Sequence, residues 1–238
     1  MKKIVREELV RYLLKKANVK ENFIECSFES YIVEDGNKKA LEKAKEFAEK
    51  FLNNNEKLKG IYFFGPVGVG KTHLSVSILR HIAEKTVERA YNELKNIVDN
   101  QPEFDQKETL KNALDSWLQV NVYFTTTQEY IRKLMSLFGD KKQIEFSERV
   151  ISTELLVVDD LGTETLSNWS LEEIFYVISY RYERGLPTIF TSNYDLADLY
   201  GKYIKKLPPI EIEKMLSRIK GFTEGVKIIG EDKRKKNL

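Results

Sequence analysis

Eight consecutive residues constrain this chain more than any others. Gly65-Pro66-Val67-Gly68-Val69-Gly70-Lys71-Thr72 fits the pattern G-x-x-x-x-G-K-[ST] in full. An apolar run, 60–64, precedes it and a helical pattern opens at Lys71. Strand, glycine-rich turn and helix in that order begin an α/β sheet. The glycines let backbone N–H groups turn inward around phosphate oxygens without Cβ clashes, and the helix N-terminus adds partial positive charge. Lys71 supplies a point charge for β- and γ-phosphates and Thr72 a hydroxyl ligand for Mg²⁺. ATP and Mg²⁺ are therefore the expected cofactors; the competing reading is an ordinary strand-to-helix turn.

The rest of the chain must supply a sheet around that turn. At 238 residues it is long enough for one large domain, or one domain plus an appendage. Hydrophobic residues make up 42%, which excludes an intrinsically disordered chain. Basic and acidic residues, 39 against 37, nearly cancel, so a uniformly cationic nucleic-acid coat is excluded and any basic surface is local. A single cysteine, Cys26, excludes an intramolecular disulfide framework and a zinc–cysteine cluster. No apolar run approaches the roughly 18 residues of a membrane span, and the charged start, Met1 to Glu8, is no secretion signal. The expected location is the cytoplasm, with no membrane partner.

Hydrophobic spacing predicts a short amphipathic helix within 1–20, an irregular stretch over 23–36 and a helix over 37–52. The helix opening at Lys71 is expected to run to about Glu84. Further strands are expected at 121–125, 155–159, 187–191 and 226–229, with a helix between 155–159 and 187–191 and another, about 211–220, before the last. Residues 85–119 have their own helical pattern, with a break at Asn100-Gln101-Pro102. They read as an inserted helical hairpin, or as an extension of the first helix plus a second one. The expected division is an arm, 1–36, and a main domain, 37–238, with an insertion at about 85–119.

Two further signals complete a chemical constellation. Leu155-Leu156-Val157-Val158-Asp159-Asp160 is a strand buried on both faces, with acids at its C-terminal end, where parallel sheets bind ligands. Asp159 would hold Mg²⁺ and Asp160 would polarise an attacking water, with Glu164 a rival for the second role. Thr191-Ser192-Asn193 follows another strand, and the Asn193 amide at its tip would reach the γ-phosphate or the water.

Together, Gly65–Leu74, Val157–Glu164, Tyr180–Asn193 and Ser217-Arg218-Ile219 resemble the DnaC/DnaI helicase loaders and the related IstB transposition helper, AAA+ ATPases of the initiator type. The resemblance covers about residues 40–84 and 120–234. It implies a parallel five-stranded sheet in the order 5-1-4-3-2, without a full C-terminal lid. It implies His73 as part of the nucleotide motif, Asn193 as sensor 1, and Arg218 as an arginine finger completing a neighbour's site. Lys214 and Phe222, four residues to either side, offer Arg218 no acid on its own helix. Arg181 and Arg184 would be secondary interface residues, and Arg234 matches the closing motif. Initiator-type members bind single-stranded DNA through a helical element, here about 129–142, with Arg132, Lys133, Lys141 and Lys142 as phosphate-tracking candidates; a solvated helix face is the alternative. Tyr31 and Phe28 would flank an adenine or pack in the core. Family loaders carry an N-terminal helicase-binding module, so helicase binding here would use helix 1–20.

The implied function is ATP-dependent assembly on single-stranded DNA, as a homo-oligomer, to load or remodel a replicative helicase. The alternatives are a transposition helper ATPase and a nucleotide-dependent adaptor that never hydrolyses.

Overall fold

The computed structural model describes residues 1–53, 57–116, 121–163 and 167–233. Glu164, Arg234, Trp117, Leu118 and the basic tail beyond Lys233 lie outside the described residues.

Along the chain come α1 (Lys3–Lys16), α2 (Lys38–Leu52), β1 (Gly60–Phe64), α3 (Lys71–Val98), α4 (Glu103–Ser116), β2 (Val122–Thr126), α5 (Thr127–Ser136), α6 (Lys141–Ile151), β3 (Leu155–Leu161), α7 (Asn168–Arg184), β4 (Thr188–Ser192), α8 (Leu196–Tyr203), α9 (Pro209–Phe222) and β5 (Thr223–Lys227). The strands pair in parallel in the order β2-β3-β4-β1-β5. This is the expected order, read from the opposite edge.

Alternation along the strands divides the core in two. Ile61, Phe63, Leu155, Val157 and Ile189 face an apolar layer that includes α1, α2 and α3. Tyr62, Leu156, Val158 and Phe190 face the layer of α5, α7 and α9. Successive side chains of a strand point to opposite faces, so both faces of a parallel sheet must be covered.

Local chemistry sets the helix ends. Thr126 caps α5, Asp140 caps α6 and Asp195 caps α8, each side chain accepting a first-turn N–H. Ser167 and Ser170 form a reciprocal capping box on α7, and Gly185 closes that helix at φ 63°.

Four boundaries differ from expectation. First, α3 does not stop near Glu84 but continues to Val98, with α4 after it, which is the second of the two readings of 85–119. No Gly or Pro interrupts Lys71–Val98, and Thr86, Val87, Ala90 and Val98 are buried in its second half; burial of one continuous stripe favours one helix. At about 1.5 Å per residue the rod is about 42 Å long. Second, the element expected over 129–142 is two helices, because Gly139, at φ 81°, turns the chain between α5 and α6. Third, β3 runs past Asp159 to Leu161 through a break in register between Val158 and Leu161. Fourth, β5 begins at Thr223, because α9 extends to Phe222 and Thr223 already pairs with Gly60.

The N-terminal segment is docked on the main layer. Val5, Leu9, Val10 and Leu14 of α1 are buried, and burial contributes about 1.5–3 kcal/mol for each such side chain. Beyond α1, Ala17 O accepts from Phe124 N at 2.8 Å and Asn18 Nδ2 donates to Phe124 O at 2.9 Å, which ties the segment to β2.

Candidate nucleotide site

The phosphate loop joins β1 to α3, with Gly65, Gly68 and Gly70 at φ 149°, 80° and 96°. At Gly65 a Cβ would lie 2.1 Å from Ile228 O, so the loop can pass only without a side chain. Val69 is buried, while Pro66 and Val67 are exposed. Lys71 is 6% exposed. Its ammonium donates to Gly65 O at 2.8 Å, Pro66 O at 2.6 Å and Asn193 Oδ1 at 2.8 Å.

Across the cleft, Thr72 Oγ1 donates to both oxygens of Asp159, at 3.0 and 3.1 Å. Thr191 Oγ1 donates to Asp159 Oδ1 at 2.6 Å and itself accepts from Asp160 N at 2.9 Å. Asp159 is 2% exposed. Burial, followed by the charge of Asp160, pushes its carboxyl up from 3.8 to about 6, against the pull of the Thr191 and Thr72 hydrogen bonds and of Lys71. Thr191 was legible as part of the Asn193 segment; its clamp on Asp159 was not. Strand alternation carries the signal, because residues 191 and 193 share a face.

Asp160 adopts the left-handed region at φ 58°. For a residue other than glycine this is a strained backbone, and such strain concentrates at functional sites. Three hydroxyls hold it: Thr191 accepts from its N–H, while Thr127 and Thr163 donate to its carbonyl at 3.0 and 2.8 Å. The strain turns residue 160 out of the register that buries its neighbours.

The site residues thus separate into groups. Gly65 to Thr72, Asp159 and Asn193 converge. His73 instead faces the 27–31 segment, with Nε2 2.9 Å from Ser27 O and its ring edge-on to Tyr31. Burial holds its pKa below the usual histidine value. Arg218 lies on α9 against α7, donating to Ser179 Oγ, over the ring of Phe175 at 5.1 Å and 3.7 Å from Glu183 Oε1. The acid missing from its own helix is therefore supplied by α7.

Arg181 requires a correction, because it is fully buried and cannot be an interface residue. It donates to Thr188 Oγ1 at 2.7 Å and to the carbonyls of Ile151, Thr153 and Pro187, each at 2.8 Å. Arg184 stacks over Tyr180 at 3.7 Å. Arg132 and Lys133 on α5 and Lys141 and Lys142 on α6 are all exposed. On the same stretch Met135, Phe138 and Ile144 are exposed too, Phe138 at 77%.

The residues present fit a nucleotide with a divalent cation. The glycine cradle has no room for side chains, and a hydroxyl beside a carboxylate is a hard-oxygen donor set suited to Mg²⁺.

The profile of the family described as IstB-like ATP binding protein matches residues 113–238, more than half of the sequence. The chain belongs to this IstB-like family. A bacterial DnaA ATPase-domain profile matches residues 19–97. The IstB-like chain is 23% identical to the replicative helicase loader DnaI of Bacillus subtilis (strain 168) over 98% of its own length, and spans 66% of that protein. It is similar to the crystal structure of the DnaC helicase loader, at 28% identity and a TM-score of 0.64, covering 88% of this chain and 100% of that one. A structure of the replication initiator DnaA bound to AMPPCP and single-stranded DNA shares the fold at 20% identity and a TM-score of 0.57, over 89% of this chain and 51% of that one. The IstB-like chain therefore has the AAA+ fold and is a relative of the DnaC and DnaI replication proteins. Among the described residues, no helix is long and apolar enough to cross a membrane.

Proposed function

We propose that this chain is a cytoplasmic ATPase that assembles with copies of itself on single-stranded DNA to load or remodel a replicative helicase. The observation that carries this reading is the convergence of three distant segments at hydrogen-bond distance: Lys71 on Asn193, and Thr72 on Asp159.

Each residue then has a distinct task. Lys71 exchanges the carbonyls of Gly65 and Pro66 for β- and γ-phosphate oxygens. Asn193, already bonded to Lys71, registers whether that exchange has occurred. Thr72 and Asp159 would hold Mg²⁺, which neutralises phosphate charge when bound. Asp160, half-exposed on its strained turn, polarises the attacking water. Arg218, whose described partners all belong to α7, is the finger offered to a neighbouring copy. On α5 and α6, Arg132, Lys133, Lys141 and Lys142 track phosphates while the exposed Phe138 offers a stacking face. Residues 1–36 form an arm docked on the ATPase domain, 37–238, and the stretch of about 85–119 decorates the first crossover.

A second reading, a transposition helper, is favoured by the IstB-like profile itself. Three measurements test these readings. Lys71→Ala and Arg218→Ala chains, each inactive alone, should regain ATP hydrolysis when mixed; no recovery at any ratio rejects a finger acting between copies. Absence of turnover by the parent, with and without single-stranded DNA, supports the non-hydrolysing adaptor. Affinity capture with and without ATP separates the two ATPase readings by whether a replicative helicase or a transposase is retained.

A further inference from the structure

Two segments nearly 200 residues apart in sequence, 31–36 and 228–233, meet over the phosphate loop. Beyond β5, Ile228 N donates to Phe64 O at 2.8 Å, Ile229 N to Gly36 O at 3.0 Å and Lys233 N to Gly68 O at 3.1 Å. The strap of residues 228–233 thus crosses from the sheet edge to the loop. From the 31–36 segment, Tyr31 donates its hydroxyl to Val69 O at 3.3 Å. Its ring lies so close to Gly70 that a Cβ there would sit 2.7 Å from Cε2. The side chain of Lys233 closes the circuit: its ammonium donates to Ile32 O and lies 4.7 Å from the centroid of the Tyr31 ring.

The surroundings of that ammonium have a recognisable chemistry. Ile32, Val33, Val67 and Ile229 are all exposed large apolar residues, on the strap, the loop and the 31–33 segment. Exposed apolar side chains gathered around polar groups mark a ligand site. The same segments hold the Tyr31 ring and the Ile32 carbonyl beside the phosphate loop. A purine base needs apolar walls for its faces and an acceptor for its exocyclic amino group, and Ile32 O with Tyr31 supplies both. Lys233 holds the same carbonyl and the same ring.

We propose that Lys233 is a built-in competitor for the base, so that a purine nucleotide binds only by displacing the ammonium from Ile32 O and Tyr31. This rests on the nucleotide-site reading and adds a regulation of that site. Lys71 is bonded elsewhere, to Gly65, Pro66 and Asn193, so displacing Lys233 leaves the phosphate cradle as it is. Competition is with the base and not with the γ-phosphate. It therefore weakens ATP and ADP by the same factor.

Calorimetric titration of the full chain with ADP, ATP and inorganic tripolyphosphate tests this. Lys233→Met keeps the length of the stem and removes the donor. It should bind ADP and ATP about three- to tenfold more tightly, the range for one net hydrogen bond, with tripolyphosphate affinity unchanged. Lys233→Arg, which keeps a cation, should bind like the parent. Unchanged or weaker ADP binding by Lys233→Met, or a loss of tripolyphosphate affinity, overturns the competitor while leaving the phosphate site standing. Equal tightening by Lys233→Arg overturns it as well. Failure of the parent to bind ADP at all would overturn the nucleotide-site reading and the competitor with it.

Discussion

The sheet carries a buried cation at each end. At the carboxyl ends of the strands Lys71 holds two loop carbonyls and an amide oxygen, within the field of the Asp159 carboxylate. At the amino ends Arg181 holds three carbonyls and one hydroxyl, and burial pulls its pKa down to about 9. Both are buried charges in a low-dielectric setting. Only the first has partners that a phosphate can replace at no structural loss. Arg181 is a fixed tie between the end of α6, the approach to β3 and the start of β4. A displaced pKa alone therefore does not mark chemistry; exchangeable partners beside an opposite charge do.

The contrast can be broken from either end. The largest effect is expected at Arg181. Arg181→Met leaves three buried carbonyls without their donor and should lower unfolding free energy by about 4 kcal/mol, measured in urea. A loss below about 1 kcal/mol would mean that the tie is dispensable. Next comes Lys71→Ala, with nucleotide affinity expected to fall at least about 100-fold, near 3 kcal/mol, and little change in urea midpoint. Comparable losses of stability in both variants would erase the distinction drawn here.

Asp159→Asn sharpens it further. The Asp159 carboxyl titrates at about 6 in the fold against 3.8 ordinarily. Between those values the folded chain keeps a proton that the unfolded chain has released. Stability from this group is therefore full below about pH 4 and declines as pH rises through about 6. The Asn variant should be flat across that window and about 2–3 kcal/mol more stable at pH 7 without divalent cation. It should also lose ATP turnover. The smallest effect belongs to Asp160→Gly, which relieves the left-handed backbone and should gain up to about 1 kcal/mol while turnover falls. Unaltered turnover would move the water-orienting role away from Asp160.

Much of the nucleotide site was legible because its chemistry is local in sequence. Gly65 to Thr72 is one contiguous turn, and Asp159 and Asn193 end strands whose apolar runs announce themselves. Strand order came from the resemblance alone. Arg181 was not legible as a tie, since an arginine near a helix end between two tyrosines reads as surface; its partners come from 151, 153, 187 and 188, which only the fold assembles. The Lys233–Ile32 contact spans nearly the whole chain, so no spacing could reveal it. The length of α3 was undecided because periodicity continues through Glu84 whether or not the chain bends there.

That uninterrupted α3 has a mechanical corollary. Its first residue is Lys71, the lysine proposed to contact phosphate, and its last lies about 42 Å away, beside the layer that also holds α1 and α4. A stiff shaft of that reach magnifies small rotations: about 5° at the Lys71 end sweeps the Val98 end through roughly 3–4 Å. Events at the loop would thus be displayed, enlarged, on the far flank of the molecule.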